Sequence, residues 1–211
     1  MAISSQSICS LLEQLIDEES KKTPRILASS DFYNRTYRLH LKDFKRLRRR
    51  AWTEDKVLMC FCSVYGWMPK AIVEWNKNAI PRFVEALNAE TSPSTLIELA
   101  KSCINNSVVG ASKFLHFYDP DTFPIFDSIV ASIAWSCWSQ DAALSRYLRY
   151  REAVMSVSTA HTQSAKCWAE EWFGYGVSGV RAIEGLTFYS LRKRVSGKPP
   201  ETCTAFDISA D

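Results

Sequence analysis

The residue with the most chemistry to offer is Asp127, which follows Pro124-Ile125-Phe126 and opens an apolar helical pattern. A helix N-terminus favours a carboxylate while apolar neighbours strip it of water, so the two effects oppose each other and the sequence leaves its pKa open. An ionised, partly desolvated carboxylate can steady a developing cation or activate a water molecule. The same residue is also a ready N-cap for a helix from Ser128 to Trp135, a part any Asp would fill there.

Other side chains of interest lie upstream. Lys113 and His116 share a face of the apolar stretch that ends at Phe117, where a histidine satisfied in the core is the plainer reading. Tyr65, Trp67 and Met68 cluster in a loop before Pro69 and can serve as an apolar wall or as core. Seven cysteines at irregular spacing read as reduced thiols, with Cys60 and Cys62 as core residues; no Cys-x-x-Cys or His-rich partner points to zinc. No secretory pattern starts the chain and no apolar run approaches the roughly 20 residues that cross a bilayer, so a cytoplasmic protein that does not span a membrane is expected.

The elements that must position these residues are helical. Seven glycines and eight prolines among 211 residues are too few for the frequent turns of sandwiches and barrels, while 46% hydrophobic residues suffice for a core. The spacing of Ile8, Leu11, Leu12, Leu15 and Ile16 predicts a first helix running to about Glu19. A strongly basic helix follows between Asp31 and Arg50, where Tyr33, Tyr37, Leu41, Phe44 and Leu47 interleave with cations that include Lys45 and Arg49. Thr53 with Glu54 and Asp55 opens the next helix, closed at Gly66. Helical patterns then cover Ala71 to Asn76, Pro81 to Asn88, and Ser94 to Ile104 after the cap-and-proline signal Ser92-Pro93. Val109 to Phe117, Asp141 to Val157, Ser164 to Trp172 and Gly179 to Arg194 complete the set, and residues 197–211 read as a flexible tail. The fold class is all-α. Net charge is only +3, but Lys42 to Arg50 and Arg146 to Arg151 are local basic runs, either phosphate-tracking or simply solvated.

Within this frame, Asn105-Asn106-Ser107-Val108-Val109-Gly110-Ala111, the apolar helix after it and Pro124-Ile125-Phe126-Asp127-Ser128-Ile129-Val130 resemble the active-site region of helix-hairpin-helix DNA glycosylases. That family carries a hairpin of the form Gly-x-Gly-x-x-x-Ala, a helix from the Ala, and a loop ending in an Asp with a Val three residues on. Ala111 and Asp127 are sixteen residues apart, similar to the family's separation, and the likeness spans residues 105–130. Asn105 and Ser107 replace the hairpin glycines. Val109 stands where strand-cutting members carry a Lys, which implies a monofunctional enzyme. Only Cys167 and Cys203 lie beyond Cys137, so the four-cysteine cluster loop of some members is absent and no cofactor is expected.

The resemblance implies two helical lobes with a cleft between them: residues 53–135 with the hairpin at 105–110, and residues 1–52 joined by 136–196. It implies a monomer that acts on double-stranded DNA, excising a modified or damaged base flipped out of the duplex. Asp127 would be catalytic, and Asn105, Ser107, Val109, Gly110, Ser112 and Lys113 would hold the phosphate backbone with help from Lys45 and Arg49. Tyr65, Trp67, Met68 and His116 would form the base pocket or wedge. Repair and antiviral defence against modified phage DNA both fit, and alkylated, oxidised and deaminated bases all remain open. The rival readings are a non-catalytic helix-hairpin-helix DNA-binding protein and an all-helical interaction or regulatory protein.

Overall fold

Helix starts follow the capping residues. In the computed structural model, which describes residues 3–24, 32–68 and 72–196 apart from the side chains of residues 33 and 193–196, Ser4 caps α1 (Ser5–Glu19) by accepting from the Ser7 N–H. Thr53 does the same for α3 (Glu54–Gly66) and Ser92 for α5 (Pro93–Cys103), whose Pro93 occupies the first turn where its missing N–H costs nothing. Between them lie the basic α2 (Phe32–Leu47) and α4 (Ala79–Asn88). Ser107 caps α6 (Val108–Tyr118), and Asp127 caps the single-turn α7 (Ser128–Ala131). The long helices α8 (Ala143–Ser156), α9 (Thr159–Phe173) and α10 (Gly179–Ser196) follow, with Gly174 in the left-handed conformation that closes α9.

The expected helix from Ala71 to Asn76 does not form over its described residues. Residues 72–76 form no regular element apart from one bridge: the Val73 and Glu74 N–H groups donate to the Asn105 side chain, and Trp75 makes an isolated antiparallel bridge with Ile104. Six residues yield too few intrahelical bonds to offset nucleation once outside acceptors compete. The helix expected from Ser128 to Trp135 likewise stops at Ala131, where Ser132, Ile133 and Ala134 tighten into three-residue turns. The α9 helix begins five residues ahead of the expected Ser164 because Ser158 caps it at Thr159. The tail and Cys203 lie outside the described residues.

Packing joins these helices through one contiguous core. The terminal helices α1, α8, α9 and α10 pack on one another, and α3 to α6 form the central group. α2 belongs to the amino-terminal segment but packs on α6 and α3, turning Tyr37 and Phe44 inward and Lys42, Lys45 and Arg46 outward. Phe114 of α6 is the hub, with Phe61 at 4.5 Å, Phe44 at 5.2 Å and Phe83 at 5.3 Å between ring centroids. On the far side of α6, Phe126 packs against Tyr147 and Tyr150 of α8. Cys60 is buried as expected, whereas Cys62 is exposed, because two residues along a helix turn to opposite sides. No described helix is long and apolar enough to cross a membrane.

α6 lies unusually close to α3. A Cβ added at Gly110 would stand 2.6 Å from the Tyr65 hydroxyl oxygen and 2.9 Å from its Cε2. Gly110→Ala, which gains about 1 kcal/mol of helix propensity in an open helix, is therefore expected to lower stability here by about 1–3 kcal/mol. Urea unfolding of the two proteins checks this, and a raised midpoint would refute it.

Candidate functional site

Two polar residues one turn apart on α6 fasten the chain that leads to Asp127. Ser112, fully buried, accepts from the Phe126 N–H at 3.1 Å, and its hydroxyl lies within donating distance of the Val109 and Phe126 carbonyls. His116, also fully buried, has Nδ1 2.7 Å from the Phe123 carbonyl and Nε2 2.8 Å from the Tyr37 hydroxyl. A carbonyl only accepts, so Nδ1 carries the proton, and in the neutral ring Nε2 accepts from Tyr37. Burial first, and then the Arg181 charge, push the His116 pKa down to about 3, so the ring is neutral at ordinary pH. Residues 123–126 are thereby held at both ends.

These contacts correct two sequence expectations. Ser112 is sealed inside and spends its hydrogen bonds on the Asp127 loop, so it cannot donate to a phosphate. His116 is a satisfied core histidine and does not line a base pocket. Tyr65, Trp67 and Met68 are buried too, at 4%, 7% and 7% exposure, with the Tyr65 hydroxyl donating to the Ile104 carbonyl and Trp67 Nε1 to Thr36 Oγ1. As placed, none of the three projects as a wedge. Large aromatic rings near α6 are drawn into the core by the area they bury.

Asp127 itself is half-buried. Its Oδ1 accepts from the Ile129 and Val130 N–H groups, each at 3.0 Å, so the cap leaves Oδ2 unengaged. α10 packs against α7 and carries Arg181 and Glu184, which form a buried ion pair. Asp127 and Lys113 both stand close enough for their charges to act on Glu184, whose carboxyl burial holds above the usual range. The arrangement therefore gathers one accessible carboxylate, a half-buried lysine and a buried Arg–Glu pair around the junction of α6, α7 and α10.

The turn preceding α6 has a distinct shape. Asn105 and Asn106 are the only described non-glycine residues with positive φ, at 52° and 45°, a conformation Asn tolerates better than most side chains. Ser107, standing at the other glycine position, has an ordinary extended φ of −108° and acts as cap. Asn105 Oδ1 clamps residues 73 and 74, and Gln140 Nε2 donates to the Asn106 carbonyl. Asn106 is exposed, and Ser107, Val109 and Lys113 are half-buried, whereas Gly110 is buried against Tyr65. The Lys113 ammonium lies 5.3 Å from the Trp67 ring centroid. Lys45 and Arg49 are exposed on α2 and just past its end, where the neighbouring Arg48 donates to the Tyr118 carbonyl at the end of α6 opposite to this turn, so the structure does not bring them to it.

Sequence reading passes over Arg181, Glu184 and Tyr175, and meets Tyr150 only as part of the basic run Arg146 to Arg151. The available signal was a charge pair three residues apart within a stretch where Val180, Ala182, Ile183 and Leu186 are all apolar. Charges on the apolar side of a helix are paired when buried. Two surface hollows, of about 580 and 500 Å³, lie elsewhere, beside Lys21 and Trp168 and between α4 and α5. Among the described residues, no three His, Cys, Asp or Glu side chains gather as a metal site. Compared with protein-family models, curated proteins and solved structures, the chain matches none.

The depressed His116 pKa makes a signed prediction. Between pH 6.5 and about 3 the unfolded chain binds a proton at this site that the folded chain does not, so His116 lowers stability as pH falls through that window. The raised carboxyl of Glu184 acts with the opposite sign, so only the difference between variants isolates the histidine. In urea titrations from pH 8 to pH 4, the gap between the wild type and His116→Asn should shrink as the pH drops; a constant gap would contradict the assignment.

Proposed function

We propose that this chain is a monofunctional DNA glycosylase that hydrolyses the N-glycosidic bond of a modified or damaged base turned out of duplex DNA. The observation that carries the reading is the placement of Asp127: an accessible carboxylate on a loop pinned by buried Ser112 and His116, at a helix N-terminus, sixteen residues beyond Ala111 in α6. Precise hold on one carboxylate is what glycosidic cleavage asks of a protein. As the bond from C1′ to the base nitrogen breaks, the sugar gains oxocarbenium character, which an adjacent Asp stabilises. Water supplies the new C1′–O bond, and its one released proton passes by way of the carboxylate to the departing base nitrogen, which leaves the carboxylate ionised again and the overall change a simple hydrolysis.

The turn at Asn105 and Asn106 supports the same reading. Left-handed backbone where the resemblance places a glycine gives a tight bend before a helix N-terminus, a shape whose backbone N–H groups suit a phosphate. Lys113 adds a cation beside it, and the exposed basic face of α2 offers further contacts to a backbone that is read by charge rather than sequence. With Ser112 committed to the core, the phosphate hold falls to the turn, Val109 and Lys113. The partner is double-stranded DNA, the protein acting alone and in either repair or defence against modified phage DNA.

Asp127→Asn separates catalysis from capping, because Asn caps a helix about as well as Asp. Duplexes carrying uracil, 8-oxoguanine, 7-methylguanine or 5-hydroxymethylcytosine are incubated with each protein and then treated with alkali to break abasic sites. The wild type should release at least one base and the variant should do so at least about 100-fold more slowly, with an unchanged melting temperature. Equal release by both would refute the role of Asp127, and release by neither would refute the glycosylase. Salt titration of duplex binding supplies a further check: affinity should fall steeply between 50 and 200 mM salt, and a salt-independent affinity would favour a protein-interaction role.

A further inference from the structure

The ion pair on α10 is costly as a purely structural feature. Arg181 is 9% exposed and Glu184 3%, and burying such a pair in place of apolar side chains gains little stability. Its hydrogen-bonding is also incomplete. Arg181 Nε, the Tyr150 hydroxyl and the Tyr175 hydroxyl are all buried without a partner, although most such groups in folded proteins find one. Both tyrosines lie within electrostatic reach of Arg181 and Glu184, and Tyr150 within reach of Asp127 as well. One unpartnered atom of the ion pair itself and two unpartnered hydroxyls near it therefore stand beside the candidate catalytic carboxylate.

The aromatic faces nearby are already taken by cations. The Arg181 guanidinium lies 4.5 Å from the Tyr37 ring centroid and 4.8 Å from that of Phe173. Arg38 covers Tyr175 at 5.0 Å, and Lys113 covers Trp67 at 5.3 Å. Aromatic faces left bare would attract a positively charged heterocycle. Here a cationic ring would meet like charge at each of these faces.

We propose, resting on the glycosylase reading above, that Arg181, Glu184, Tyr150 and Tyr175 recognise the excised base, and that they select neutral bases with donor and acceptor groups on one edge over cationic N-alkylated purines. Arg181 Nε donates to a carbonyl or ring nitrogen of the base. The Glu184 carboxylate accepts from an amino or imino N–H, and the tyrosine hydroxyls answer the remaining groups. Unpaired polar atoms discriminate strongly, because a base that lacks the matching groups leaves them unsatisfied in a dry site. Tyr175 is half-buried and stands between Gly174 and Gly176 in the connection from α9 to α10.

The test compares release of neutral bases (uracil, hypoxanthine, 8-oxoguanine, 5-hydroxymethylcytosine) with release of cationic 7-methylguanine, each relative to its own uncatalysed rate. At least one neutral base should be accelerated about 100-fold or more beyond 7-methylguanine, a margin below the full discrimination of roughly 10⁴-fold that unpaired buried polar groups can impose. Tyr175→Phe removes only an unpartnered hydroxyl, so its melting temperature should match the wild type while release of the preferred base slows about five- to tenfold, the effect of one hydrogen bond. Glu184→Gln should abolish the preference. Duplex binding by Asp127→Asn gives a readout without turnover: a duplex with the preferred base should bind at least about tenfold more tightly than an unmodified one.

Acceleration of 7-methylguanine equal to that of every neutral base would overturn the selectivity and leave the glycosylase standing. A neutral preference that both Tyr175→Phe and Glu184→Gln leave intact would overturn the assignment to these residues. Absence of turnover together with selective binding would overturn the glycosylase reading alone, and absence of both would overturn the two together.

Discussion

The attachment of residues 123–126 to α6 is the constraint on which the rest of the arrangement depends. An irregular segment running through the core must satisfy its backbone polar groups without a helix or sheet to do it. Ser112 answers Phe126 and His116 answers Phe123, and the 3.6-residue period of α6 is what places those two side chains on one face. Because the helix is rigid and the two anchors bracket the segment, Asp127 emerges at a defined point. The Tyr37 contact extends the same hydrogen-bonded chain to α2, so a basic surface helix and a carboxylate loop share one internal support.

The polar side of α10 completes this picture. Most charged side chains among the described residues are solvated, yet Arg181 and Glu184 turn inward among aromatic rings and close to Asp127. A folding argument alone does not account for them, since apolar residues of similar volume would pack there at lower desolvation cost. Residues that break the local packing rule in this way tend to mark functional ground. That is why the junction of α6, α7 and α10, rather than either of the two surface hollows beside Trp168 and between α4 and α5, is the place to look for chemistry.

How much of this was legible in the sequence differs by feature. The starts of α1, α3 and α5 were plain, because Ser4, Thr53 and Ser92 satisfy helix N–H groups within three residues and need no tertiary information. Residues 72–76 were misread since their competing acceptor, the Asn105 side chain, lies some thirty residues away in the chain and becomes visible only in the fold. Asp127 was legible as cap and candidate together, but the commitment of Ser112 and His116 to the core was not, as a helical wheel does not say what lies opposite. Arg181 and Glu184 were missed for the same reason: burial of a charge pair is decided by what packs over it.

The contact between Gly110 and Tyr65 bears on how this protein can drift over evolutionary time. Its α6 approaches α3 because one residue lacks a side chain and its neighbour supplies a broad ring to fill the space. The two positions are thus free to change only as a couple. Among homologues of this chain, a methyl or larger group at the first should accompany a slimmer residue at the second, so that their paired variation becomes a fingerprint of the lineage legible without any coordinates.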